Sequence, residues 1–298
     1  MTVCFQRAVV LSMSILVTGA SSQVGLYVRR RLAGAQSLTL VGRTRARVAA
    51  PGEIWVQADM SGDPPPAALS EADAIISFGP MDGLAAWLAR QKRVAAHHVV
   101  ATSSMSAVSK RDSPVEADRV LSARLRAGEE ALIAQCERLG IGWTILRPTM
   151  IYGAGLDHNL TPIARMARRT RVLPLPQASG LRQPVHAEDV AVAAIAAVRD
   201  GAATGRIVEI GGGERLPYLA MFQRLRESLG CRVMPVPVPG VALRAAAALL
   251  PPMRGPLGRL EADLVADNTV LNALLDVAPR PFHPDADTWR PRTWPETE

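Results

Sequence analysis

The segment Ile15-Leu16-Val17-Thr18-Gly19-Ala20-Ser21-Ser22-Gln23-Val24-Gly25 constrains the fold more than any other part of the chain. An apolar, β-branched run enters a turn bounded by Gly19 and Gly25, and a helical stretch, Leu26 to Leu32, follows at once. A strand that turns tightly into a helix directs free backbone N–H groups at an anion, where the helix N-terminus adds partial positive charge. The common dinucleotide fingerprint is G-x-x-G-x-x-G or G-x-G-x-x-G. Gly19 takes the sharp turn, Gly25 lets the helix approach the sheet, and Ser22 holds the middle position, where its hydroxyl can donate to a phosphate. The turn predicts a dinucleotide before it says anything of a substrate.

Downstream, apolar β-type runs alternate with helical stretches. Strands are expected at Ser14–Thr18, Ser37–Val41, Ile54–Gln57, Ala74–Ser77, His98–Thr102, Trp143–Arg147 and Arg206–Ile210, with helices over 115–139 and Ala187–Arg199. That alternation argues for an α/β fold, a Rossmann-type doubly wound parallel sheet. Residues 13–150 and 186–213 would form the dinucleotide-binding domain. Residues 151–185 and 214–298 would form a smaller, mainly helical C-terminal substrate lobe, and 1–12 a frayed extension ahead of Met13.

With 298 residues, 48% of them apolar, the chain can bury a large core and a small lobe. Its richest apolar run, Val241–Leu250, is interrupted by Arg244 and closed by Pro251-Pro252, too short to span a bilayer. It reads as a packing helix of the lobe rather than a membrane element. Cys4, Cys136 and Cys231 are widely scattered, which suits a reducing compartment, the cytoplasm, and no metal spacing occurs. The net charge of +7 is almost wholly arginine and is spread along the chain; with 4% aromatics, nucleic-acid binding is not expected. The helix over 115–139 could pair with a copy of itself as a homodimer.

Ligands of such sheets bind at the carboxyl ends of the strands. After the second strand, Gly42-Arg43-Thr44-Arg45-Ala46-Arg47 carries glycine and arginines where an NAD site usually has an acid. A guanidinium pairs with a 2′-phosphate, so Arg43 favours NADP(H) over NAD(H). Asp59 after the third strand would meet the adenine edge and Met60 would cover the ring. Phe78-Gly79 after the fourth would let the ribose approach the backbone.

The order Thr18-Gly19 to Gly25, Asp59, Ser103-Ser104, Leu146-Arg147-Pro148-Thr149-Met150-Ile151-Tyr152-Gly153 and Gln183-Pro184-Val185-His186-Ala187-Glu188-Asp189-Val190 resembles the extended short-chain dehydrogenase/reductase superfamily. Its nearest flavour is the NAD-dependent epimerase/dehydratase group, the nucleoside-diphosphate-sugar epimerases. The resemblance implies that Gly19, Ser21, Gln23 and Val24 line the pyrophosphate and adenosine side and that Pro148 borders the nicotinamide. It implies a substrate phosphate at Arg182, with His186 either a substrate contact or a packed, hydrogen-bonded ring. Asp189 is expected to orient local structure. The reaction implied is oxidoreduction, epimerisation or dehydration of a small polar, nucleotide-sugar-like substrate.

Such enzymes use Tyr-x-x-x-Lys, in which the lysine lowers the tyrosine pKa and the tyrosine moves a proton. The residues four beyond Tyr27, Tyr152 and Tyr218 are Arg31, Leu156 and Phe222. Setting Glu130 at the family's glutamate puts Arg126 at the lysine position and Ser122 at the tyrosine position. Arg126 could hold a ribose but stays charged. The remaining candidates for proton transfer are Ser104, Lys110 and Tyr152, the last two if burial lowers their pKa. The alternative is a non-catalytic, NADP(H)-binding regulatory or assembly protein.

Overall fold

The computed structural model describes residues 13–43, 49–60, 62, 67–176, 178–241 and 262–295. In chain order the elements are β1 (Ser14–Thr18), α1 (Gln23–Leu32), β2 (Ser37–Gly42), β3 (Glu53–Gln57), β4 (Ala74–Ser77), α2 (Met81–Arg90), β5 (His98–Thr102), α3 (Ser106–Ser109), α4 (Glu116–Leu139), β6 (Gly142–Pro148), β7 (Ile151–Tyr152), α5 (Leu160–Thr170), β8 (Val172–Pro176), β9 (Leu181–Arg182), β10 (Val185–His186), α6 (Ala187–Asp200), β11 (Arg206–Ile210), β12 (Leu216–Pro217), α7 (Tyr218–Glu227), β13 (Met234–Val238) and α8 (Thr269–Leu275).

Seven strands form one parallel sheet in the order β11-β6-β5-β4-β1-β2-β3. Parallel strands are buried on both faces, which is why these runs are apolar throughout rather than alternating. Side chains still alternate between faces. Ile15 and Val17 pack with α1 and α6 in one cluster, while Leu16 packs in the other with Leu84, Leu88 and Leu132 of α2 and α4. Thr18 lies level with Val41 on one side and Ser77 on the other. The chain runs outward in both directions from β1, so a crevice opens at the carboxyl ends of β1 and β4, where ligands of such sheets bind.

A third apolar cluster is built by Tyr152, Leu160, Leu173, Met221, Phe222, Phe282 and Trp289, with α5 and α7 beside the parallel β8–β13 pair. The C-terminal segment is shared between this lobe and the sheet. Leu271 and Leu275 of α8, with Val277, join the cluster on the α1–α6 face, and Trp294 packs against it. The expected lobe of 214–298 is therefore divided: α8, Val277 and Trp294 pack on the α1–α6 face of the sheet, while Phe282 and Trp289 stay in the lobe cluster. Residues 1–12 and 242–261, with the expected extension and the Val241–Leu250 helix beyond its first residue, lie outside the described residues. No helix among the described residues is long and apolar enough to cross a membrane.

Candidate functional site at the carboxyl ends of the strands

The glycine turn sits at the crevice. Gly19 has φ +68°, and a Cβ there would lie 2.8 Å from the Phe78 carbonyl carbon and 2.9 Å from the Gly79 nitrogen. A Cβ on Gly25 would lie 2.6 Å from the Gly19 oxygen. Both positions are closed to any side chain by backbone rather than by movable atoms. Ser22 caps α1, its Oγ accepting from the Gly25 N–H at 3.1 Å. Acceptance leaves the hydroxyl proton free to donate outward. Gln23 Oε1 is buried with no partner among the described residues, an acceptor that a ligand donor would satisfy. Ser21 is exposed on the turn. Val24 was expected to line the site, but its side chain is in the core, 3% exposed. An apolar residue on the inner face of α1 gains more from burial against the sheet than from contact with a polar ligand, so only its backbone N–H can serve.

Around the rim, Arg43 is exposed after β2, and its carbonyl accepts from Gln57 Nε2 at 3.1 Å. Arg45 and Arg47 lie outside the described residues. Asp59 is exposed; Met60 is half-buried against the α2–α4 face, and its carbonyl accepts from Arg90 at 3.2 Å. Phe78 donates its N–H to the Thr18 carbonyl at 3.0 Å, and Gly79 passes close to the Thr18 hydroxyl. Thr18 and Ser77 share a buried hydroxyl hydrogen bond of 2.8 Å. The rim is thus held by β1–β4 hydrogen bonds before any ligand arrives.

Beyond β5 the side chains are committed to one another. Ser103 Oγ donates to Glu129 Oε1, and Arg147 meets the same carboxylate through both Nε, at 2.8 Å, and Nη2. The Glu129 bond holds the Arg147 pKa above its ordinary value. Ser104 Oγ accepts from the Ser106 N–H at 3.1 Å, at the start of α3. Lys110 Nζ is paired with buried Asp118 at 2.9 Å. Ser122 is fully buried and donates to the Ala107 carbonyl at 2.7 Å. Arg126 has a buried Nε with no partner among the described residues.

These contacts revise the expected frame of α4. Its buried residues include Asp118, Ser122, Glu129, Leu132 and Cys136, a stripe at helical spacing, and Glu130 is exposed. The inward glutamate is Glu129. A frame pinned on it carries Leu125 and Leu121, not Arg126 and Ser122, at the two preceding positions. The helical stripe, together with the need of a half-buried Arg147 for an acid, was the available sequence signal for Glu129.

On the other side of β6, Pro148 is buried and its carbonyl accepts from the Met105 N–H at 2.9 Å. Tyr152 is 2% exposed, edge-on to His186 and Phe282. Burial raises its pKa, with Asp189 adding to the rise, opposite to the lowering that an acid role needs. His186 caps α6 by accepting from the Glu188 N–H at 3.2 Å and packs between Tyr27 and Tyr152. Burial lowers its pKa to about 4. Arg182 is buried, donates to the Leu181 and Ala262 carbonyls, each at 2.7 Å, and lies 4.9 Å over the Tyr218 ring. Burial lowers its pKa too. Asp189 receives both the backbone and the guanidinium of Arg280, which ties the C-terminal segment to α6. No hydrogen bond, ion pair or ring contact joins Ser104, Lys110 and Tyr152 to one another among the described residues.

Residues 112–211 match the NAD dependent epimerase/dehydratase family. The matched stretch contains α4, the Leu146–Gly153 segment, all of α6 and β11, whereas the glycine turn lies outside it. No curated protein matches the chain by sequence. Among solved structures, the chain is similar to the UDP-glucuronic acid 4-epimerase from Bacillus cereus in complex with NAD, at 15% identity and TM-score 0.72, covering 93% of this chain and 97% of that one. It is similar to a UDP-glucose 4-epimerase with UDP-glucose from Thermotoga maritima, at 16% identity and TM-score 0.69, covering 94% and 97%. An epimerase from Methanothermobacter thermautotrophicus matches at 16% identity and TM-score 0.72, covering 93% and 90%. At these identities the likeness establishes the fold.

Proposed function

We propose that this chain, which matches the NAD dependent epimerase/dehydratase family over residues 112–211, binds NADP(H) at the β1 turn and acts on a small polar substrate of the nucleotide-sugar class. The observation that carries the reading is the turn at the β1–β4 crevice, with Gly25 closed against Gly19 and a buried, unpartnered Gln23 oxygen beside it. The backbone N–H groups of residues 20–25 would hold the pyrophosphate, and Ser21 and Ser22 would add hydroxyl donors. Arg43, exposed at the end of β2, would meet a 2′-phosphate. Asp59 and Met60 would border the adenine, with Phe78 and Gly79 along the ribose. Pro148 would border the nicotinamide end, and a bound nicotinamide supplies hydride transfer. The lobe built on α5 and α7 would take the substrate, with Arg182 and His186 shaping its floor.

For proton movement the chain offers Ser104 and Lys110, with Asp118 holding the ammonium in place. A second reading, binding without turnover, is favoured by two observations: that ion pair occupies Lys110, and burial keeps the Tyr152 hydroxyl protonated. Parallel titrations with NADPH and NADH, followed by turnover assays on a panel of UDP-sugars, test both. Tighter NADPH binding with turnover lost in Ser104→Ala or Lys110→Met supports the enzyme. Binding with no turnover supports the second reading, and absence of binding overturns both.

A homodimer is supported by the shallow apolar groove between α2 and α4, lined by Ala85, Ala89, Ala127, Gly128 and Ala131. Val120 and Leu121 are exposed on the same helix. Light scattering of wild type and Ala127→Glu reads it directly. A cytoplasmic location fits the unpaired Cys136 and Cys231; burial pushes the Cys136 thiol up to about 12.

A further inference from the structure

The outer face of α5 carries a feature that dinucleotide binding does not use. The helix buries Leu160, Thr161, Ala164 and Ala167. Its other side then presents Arg165, Arg168 and Arg169, three and four residues apart, so their guanidinium groups share one stripe. The helix has no Asp or Glu to offset them. The Trp289–Pro291 segment closes over this stripe and adds a fourth guanidinium, Arg290. Between them lies an open depression of about 470 Å³, lined by Arg165, Arg168, Arg169, Trp289, Arg290 and Pro291. Among the described residues no acidic side chain lines it.

The four arginines are only partly occupied by the protein. Arg165 donates to the Gly155 carbonyl at 2.7 Å, and Arg290 makes a solvent-exposed pair with Asp287 at 2.8 Å. Arg168 and Arg169 make no hydrogen bond or ion pair among the described residues. Carbonyls at the helix C-terminus draw cations to the last turn, which accounts for Arg168 and Arg169 but not for the convergence of Arg165 and Arg290. Like charges at this spacing destabilise a helix unless an anion sits between them. On one side the buried Trp289 is anchored through Nε1 to Ser228 Oγ at 2.8 Å.

We infer that this depression is a second binding site, separate from the glycine turn, for a small multiply charged phosphate compound of the pyrophosphate class. Guanidinium forks match phosphate oxygens two at a time, and a single monovalent anion would leave most of the charge unbalanced. The volume falls within the range of small-ligand pockets.

Calorimetry with inorganic pyrophosphate tests the site on the full chain. Three proteins are compared: wild type, Arg168→Gln/Arg169→Gln, and Arg93→Gln/Arg199→Gln, which removes the same charge from exposed positions elsewhere. Matching thermal unfolding curves establish that each is folded. The expected result is saturable, salt-sensitive binding to wild type and to the control, weakened at least tenfold in Arg168→Gln/Arg169→Gln, with NADPH binding equal in all three. Pyrophosphate binding that is absent from wild type, or equal in the three proteins, overturns the proposal. So does binding to anionic phosphatidylserine vesicles without binding of free pyrophosphate.

Discussion

The two ends of the candidate site are built from different materials. At the β1 turn the constraints are backbone constraints: Gly19 and Gly25 are fixed by close approach to the Phe78, Gly79 and Ala20 main chain. Beyond β5 the constraints are side-chain pairs: Ser103 and Arg147 on Glu129, and Lys110 on Asp118. A backbone cradle can receive a ligand without disturbing any protein bond. A corner of mutually satisfied charges must break a pair before a side chain can exchange a proton. Binding at the first end would leave the protein's own bonds in place, whereas turnover at the second would require a pair to open.

The largest break in that comparison is Glu129→Ala. It leaves Arg147, whose side chain is 15% exposed, without its carboxylate, and stranding a buried charge costs about 3–5 kcal/mol. Chemical denaturation should show that loss, while a dinucleotide titration on the remaining folded protein should be little changed. An unaltered stability would mean that the Glu129–Arg147 pair does not hold the corner.

Gly25→Ala acts at the opposite end. The new Cβ would meet Gly19 oxygen at 2.6 Å and Ala20 Cα at 2.7 Å, so α1 must move off the sheet. Overpacking of this kind costs about 1–3 kcal/mol, and dinucleotide affinity should fall by more than an order of magnitude. Stability measured by thermal unfolding together with NADPH titration reads both effects; intact binding would disqualify the turn as the site.

A pH series sharpens the picture of the packed side chains. Burial lowers the pKa of His98 and of His186 to about 4 in the folded protein. The unfolded chain binds those protons near pH 6.5, so it holds more protons between about pH 4 and 6.5 and stability falls as pH falls through that window. Each histidine contributes a slope of up to about 1.4 kcal/mol per pH unit there. His98 contacts Thr144 Oγ1 at 3.0 Å, and Thr144 donates its own proton to the Ala203 carbonyl, so His98 Nε2 carries the hydrogen. His98→Asn should flatten the slope in urea denaturation without moving the dinucleotide affinity.

The smallest expected effect is at Arg124→Ala. Its pair with Asp82 at 3.0 Å is exposed on both sides, and such pairs are worth about 0–1 kcal/mol. Unfolding midpoints should barely shift. A larger change would tie the pair to the α2–α4 groove proposed as the dimer face, which the same residues line.

Four of the seven main-sheet strands have the bounds expected from their apolar runs, and β2, β3 and β6 differ only at their ends. Turn glycines and buried β-branched runs are local signals, so they can be read without knowing what lies across the sheet. Glu129 and Glu130 are chemically identical in a sequence, and only the inward stripe of α4 tells them apart. The direction of the Tyr152 shift was misjudged. Tyr152 is adjacent to a strand end in sequence, but its ring is enclosed by His186 and Phe282, both distant along the chain, together with the nearby α5 core.

The sequence by itself determined the doubly wound sheet, the position of the glycine turn and the placement of Arg43, Asp59 and Gly79 just after β2, β3 and β4, because each is set by a short stretch of backbone and its nearest neighbours. The tertiary structure alone decided which side chains are free. It placed Glu129 on Arg147, Lys110 on Asp118, Asp189 on Arg280 and Arg290 beside the α5 arginines. Pairing of charges is a matter of distance in space, and the paired partners stand from 8 to 91 residues apart along the chain.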